Sequence, residues 1–112
     1  MEDYVLEYLE GFQDKLVLLG VALAERDSQQ VKTFGHRMKG TGGTYGFPVL
    51  SEIGGEIEST ALRILELQVD QADTPASHAS DRMWEDLELL RVRLGDTVAR
   101  LIAEPEDALD ES

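Results

Sequence analysis

Apolar residues recur along this chain at alternating spacings of four and three, the period of a helix that buries one side. Val5, Leu9, Phe12, Leu16, Leu19 and Leu23 form a first seam. A second runs through Val31, Gly35, Met38, Gly42 and Tyr45 with Phe34 beside it, and Asp27 or Ser28 stands where an N-cap belongs. Glycines at two of those seam positions let a neighbouring helix pack closely. Gly46-Phe47-Pro48 closes the second helix, and Pro48 suits the first turn of a third. The third seam is Leu50, Ile53 or Gly54, Ile57, Ala61, Ile64 and Leu65; the fourth is Trp84, Leu87, Leu90 or Arg91, Leu94, Val98 and Leu101, interrupted at Gly95. Between them, Gln68 to Ser80 reads as a polar connector broken at Thr74-Pro75.

No segment of useful length alternates with period two, so a sheet is not expected. The pattern predicts an all-α protein, an antiparallel up-down-up-down four-helix bundle over residues 1–103. A break near Gly11 would split the first helix into a short extra N-terminal helix and a longer piece. Residues 104–112 are acidic and nearly free of large apolar side chains, and read as a tail or linker.

Composition narrows the function. A chain of 112 residues suits one domain with its own core. With no cysteine, disulfide scaffolds, thiolate metal sites and thiol catalysis are excluded. No apolar run approaches the roughly 18 residues of a membrane span. Acids at Glu2 and Asp3 stand where a signal peptide carries bases, so a cytoplasmic protein is expected. The formal charge of −13 argues against nucleic acid and against anionic membranes. Yet none of the 23 acids falls between Ser28 and Ser51, a window that holds Lys32, Arg37, Lys39 and His36. A mildly positive window in an acidic protein attracts an anion or an acidic partner.

That window contains Phe34-Gly35-His36-Arg37-Met38-Lys39-Gly40-Thr41-Gly42-Gly43. A lone helical histidine is ordinarily just solvated, but this one has Lys39 at i+3 and glycines at i+4 and i+7, on its own face. His36 is one residue, about 100°, from the seam at Gly35, so it should be exposed. Lys32, Lys39, Gly40 and Gly43 fall on the same side. Helical glycine costs about 1 kcal/mol relative to alanine, so a clustered set needs another reason to be there. Close approach of another molecule to His36 is the simplest one.

Other chemistries fit less well. Gly35 to Thr41 has the glycine spacing of a phosphate-binding loop, but Thr41 stands where lysine must follow Gly40, and no strand leads in. The second histidine, His78, lies in the polar connector, and with no thiolate a metal site is not expected. No serine sits in a recognisable nucleophile elbow. A neutral imidazole, by contrast, is a nucleophile near neutral pH and can accept and surrender a phosphoryl group. In-line transfer needs donor and acceptor to meet with nothing bulky between them. Gly40 and Gly43 remove blocking side chains, and Lys39 can neutralise phosphoryl oxygens. These are the properties of a carrier, not of an enzyme with its own pocket.

The run from His36 to Phe47 resembles the histidine-containing phosphotransfer (HPt) domains of bacterial multistep phosphorelays. His36, Met38, Lys39, Gly40, Gly43, Tyr45 and Gly46 meet the family pattern, and Leu50, Ile53, Ile57 and Glu58 look like its third-helix pattern. Thr41 and Gly42 depart from it mildly, since serine or alanine is commoner there. The resemblance implies that His36 accepts a phosphoryl group on Nε2 from a receiver-domain aspartate and passes it to another receiver. It further implies no ATP site and no cofactor in this chain, Mg²⁺ on the receiver, and a monomer. The implied partners are response-regulator receiver domains and a hybrid sensor histidine kinase. Lys39 would lie beside the phosphoryl group, with Gly40 permitting close docking. Lys32 enters the docking surface on helical spacing alone. A rival reading is a non-phosphorylated helical module that docks receivers or other signalling proteins. In a third, a dimerising bundle, the glycines serve packing alone; Gly35 and Gly42 suit it, whereas Gly40 and Gly43 do not.

Overall fold

A computed structural model describes residues 2–70 and 78–103. Among these the chain forms helices only: α1 (Asp3–Glu10), α2 (Phe12–Ala24), α3 (Ser28–Thr44), α4 (Pro48–Asp70) and α5 (His78–Ala103). The bundle read from the periodicity is present, with α1 and α2 together as its first member. α3 packs on α2 and α4, and α5 closes the ring against α4, α2 and α1. Gly11 stays right-handed (φ −63°), and its N–H still donates to Glu7 O at 2.9 Å. The break there loosens the helical ladder without turning the chain.

The predicted seams are the core. Leu9, Phe12, Leu19, Val31, Leu50, Ile53, Ile57, Ile64, Leu87 and Leu94 are all buried, the kind of apolar burial that drives folding. Gly95 does not interrupt α5; a Cβ there would meet Leu16 Cδ1 at an ordinary 3.7 Å.

α3 is fixed at both ends by local chemistry. Asp27 is the N-cap, its side chain accepting from Gln30 N at 3.2 Å. Ser28 is instead the first helical residue, buried, with its hydroxyl donating to Gln68 Oε1 at 3.0 Å. At the far end Gly46 takes φ +85°, where a side chain would be strained. Phe47 N then donates to Gly42 O (2.8 Å) and Gly46 N to Gly43 O (3.2 Å), the paired bonds of a Schellman stop.

The polar connector needs correcting at both edges. Gln68 to Asp70 belongs to α4 and His78 to Ser80 to α5, so polarity alone did not end either helix. Gln68 is held from across the bundle by Ser28, a tertiary bond that composition cannot reveal. Thr74-Pro75 and the acidic segment 104–112 lie outside the described residues. No helix among the described residues is long and apolar enough to cross a membrane.

The packing of α3 on α4 matters most for the site. A Cβ built on Gly35 would lie 2.5 Å from Glu58 N, one on Gly42 2.6 Å from Ser51 N, and one on Gly54 2.6 Å from Lys39 N. No real side chain tolerates such distances to backbone. Three glycines therefore set the spacing of these two helices.

Candidate functional site

His36 is one residue past the close contact at Gly35, so its ring leaves the helix pair at the rim of the α3–α4 seam. Its side chain is 72% exposed, as the helical phase predicted. Glu58 rises beside it from α4, because the tight approach at Gly35 brings the Glu58 backbone against α3. His36 Nδ1 lies 2.8 Å from Glu58 Oε2. An ionised carboxylate only accepts, so the Nδ1–H donates and the neutral ring keeps its lone pair on Nε2. The other carboxylate oxygen, Oε1, is 3.9 Å from Lys39 Nζ. Glu58 is the less exposed member of this triplet, at 17%. It holds the imidazole on one oxygen and faces the ammonium with the other.

The glycines of α3 divide into two sets. Gly35 and Gly42 are buried against α4, whereas a Cβ on Gly40 or Gly43 would meet nothing within 4 Å. Nothing in the fold requires the second pair to lack side chains. Beyond the end of that strip, the Ser51 hydroxyl donates to Lys39 O at 2.7 Å, a further tie between α4 and the helix that carries the site.

On its other flank His36 borders a groove of about 740 Å³ between α2 and α3. Gly40 and Arg37 line that groove with it, whereas Lys32, Lys39 and Gly43 do not. His36 thus stands on a ridge, with Glu58 and Lys39 on the α4 side and the groove on the α2 side. Lys32 is half-buried one turn before His36, and no ion pair forms with it among the described residues. From α2, Lys15 reaches into the groove wall with its ammonium over the rings of Tyr8 (4.9 Å) and Phe12 (4.8 Å). Burial there lowers its pKa from the ordinary lysine value.

Sequence reasoning took Glu58 as part of a pattern on the third predicted helix but missed its contact with His36. The signal was present in Gly54 and Glu58, four apart on one face of that helix, but it has meaning only once Gly35 and Gly54 are known to face each other. Lys15 was missed altogether, since nothing in its neighbourhood on α2 marks it. Among the described residues no group of three or more His, Cys, Asp or Glu side chains could hold a metal ion.

Residues 3–110 match the family model described as the Hpt domain. The chain belongs to the Hpt domain family, whose members carry phosphoryl groups on histidine in phosphorelays. Such domains are phosphocarriers rather than enzymes with their own ATP site, and they interact with receiver domains and kinases. No curated protein and no solved structure matches the chain.

Proposed function

We propose that this protein is a phosphorelay intermediate, accepting a phosphoryl group on His36 Nε2 from a receiver-domain aspartate and passing it to a second receiver. The observation that carries this reading is the Nδ1–Glu58 hydrogen bond beneath an exposed ring, which leaves Nε2 as the outward nucleophile. In the transfer, Nε2 donates its lone pair to phosphorus as the bond from phosphorus to the aspartyl oxygen breaks. The imidazole gains positive charge, which the Glu58 carboxylate offsets at 2.8 Å. Lys39, only loosely paired with Glu58 at 3.9 Å, is free to turn toward the phosphoryl oxygens. The reverse reaction uses the same groups, so the site suits transfer in both directions.

Gly40 and Gly43 keep the strip beside the ring bare for the incoming receiver, and Lys32 and Arg37 give that face its positive sign. Any Mg²⁺ belongs to the receiver's side of the encounter. Mixing the chain with labelled phospho-receivers tests the reading: we expect acid-labile, base-stable label on this protein. His36→Gln should abolish the label while leaving helicity intact. Label that persists in the variant would move the site away from His36.

A further inference from the structure

The groove beside His36 runs between α2 and α3 and carries cations but no acids. None of the residues lining it is Asp or Glu, although the chain holds 23 acids and a net charge of −13. Its walls are apolar, with Phe12, Leu19 and Ala22 from α2 facing Phe34 and Met38 from α3. Leu18 stands at its edge, 66% exposed. Two cations reach it from opposite sides, Lys15 on α2 and Arg37 on α3, and neither is in an ion pair among the described residues. About 740 Å³ lies within the size range of small-molecule pockets, and apolar walls with a few convergent polar groups are their usual make-up.

We infer that this groove binds a small amphiphilic carboxylate, its apolar body between α2 and α3 and its head group on Lys15 and Arg37. Charge complementarity selects the head group. An ammonium resting on two aromatic faces has surrendered part of its hydration, and the rings replace only some of that interaction. Burial holds Lys15 below the ordinary lysine pKa, a loss of hydration that an opposite charge would offset. A bound carboxylate supplies that charge. Neutral or cationic amphiphiles of the same length gain the apolar contacts but not the ion pairs.

Because Gly40 and His36 lie on the groove wall, an occupant would share space with a docking receiver and slow phosphotransfer. That consequence rests on the proposed relay function; the binding itself does not. The test is a titration of the full chain, with no receiver present, using decanoate, decanol and decyltrimethylammonium below their micelle concentrations. Binding is followed by amide chemical-shift changes. We expect decanoate to bind at least about tenfold more tightly than the other two, each close pair of opposite charges in a partly desolvated site being worth about 1.4 kcal/mol or more. Shifts should concentrate in Phe12–Ala22 and Gln29–Thr44, and Lys15→Met should weaken the preference for decanoate, with Lys15→Met combined with Arg37→Met erasing it, while the affinity for decanol changes little. Equal affinity for all three amphiphiles, or shifts centred on the exposed Leu62, Leu89 and Val92, would overturn the proposal. If decanoate binds as expected but phosphotransfer to the chain is never observed, the groove stands and the relay reading falls.

Discussion

Glu58 holds two groups whose tasks differ, and its two oxygens separate them. Oε2 fixes the imidazole through Nδ1, while Oε1 faces an ammonium at a distance too long for a strong bond. Glu58→Ala should therefore slow phosphotransfer by roughly tenfold or more, since a hydrogen bond to a charged group is worth about 1.5–3 kcal/mol. Glu58→Gln keeps an acceptor for Nδ1–H but cannot offset the charge that grows on the ring, and its rate should fall between the two. Lys39→Ala should also slow transfer, yet shift the urea midpoint little, because exposed ion pairs contribute about 0–1 kcal/mol. Single-turnover phosphotransfer rates paired with urea unfolding for the three variants check this. Unchanged rates in Glu58→Ala would mean the ring needs no partner, and unchanged rates in Lys39→Ala would remove the lysine from the mechanism.

At the scale of elements, α3 separates two uses of glycine that its sequence interleaves. Gly35→Ala and Gly42→Ala place a Cβ against α4 backbone at 2.5 and 2.6 Å, so the helices must part; each should lose about 1–3 kcal/mol or more of stability. Gly40→Ala and Gly43→Ala meet no atom within 4 Å, and each should gain up to about 1 kcal/mol from helix propensity. If the bare strip serves a visiting receiver, those same stabilised variants should transfer phosphate more slowly. Thermal melts beside transfer rates separate these outcomes, and a faster or equal rate in Gly40→Ala would show that the strip is not a docking surface. Much of this element was legible beforehand. Its seam, the exposure of His36, the packing role of Gly35 and Gly42 and the stop at Gly46 all follow from spacing and backbone chemistry within one helix. What could not be read depends on two helices at once. The Ser28–Gln68 bond ties α3 to a stretch of α4 that looks like a connector in sequence, and Glu58 reaches His36 where Gly35 and Gly54 bring the two helices together. A single chain's periodicity states which face is buried, not which residue of the neighbour lies opposite.

Across the whole molecule, charge and burial combine where α1 and α2 meet α3, and the alkaline stability curve should record it. Burial raises the Tyr8 pKa above the ordinary tyrosine value, the bond to Thr41 at 2.9 Å partly opposing this and the nearby Tyr45 adding to it. A raised pKa means the folded state holds its proton longer. That contribution is intact below about pH 10 and is lost as pH climbs through the folded value. Burial lowers Lys15, and the sign reverses: the folded state releases its proton first, so stability rises with pH between the folded value and about 10.5. The two groups touch, with Lys15 over the Tyr8 ring, yet they push the curve in opposite directions over neighbouring intervals. Lys15→Met should delete the rise and leave the fall, so its difference from the parent chain should change steadily as pH approaches about 10.5. Tyr8→Phe should delete the fall and also lower stability at every pH, because the 2.9 Å bond between the Tyr8 and Thr41 hydroxyls is lost. The acidic background, with its net charge of −13, repels itself in all three proteins and largely cancels in these differences. Urea midpoints by circular dichroism from about pH 8 to 11 would measure both differences. A Lys15→Met difference that stays flat across this range would mean that the ammonium is fully solvated, and that the aromatic pair beneath it carries no desolvated charge.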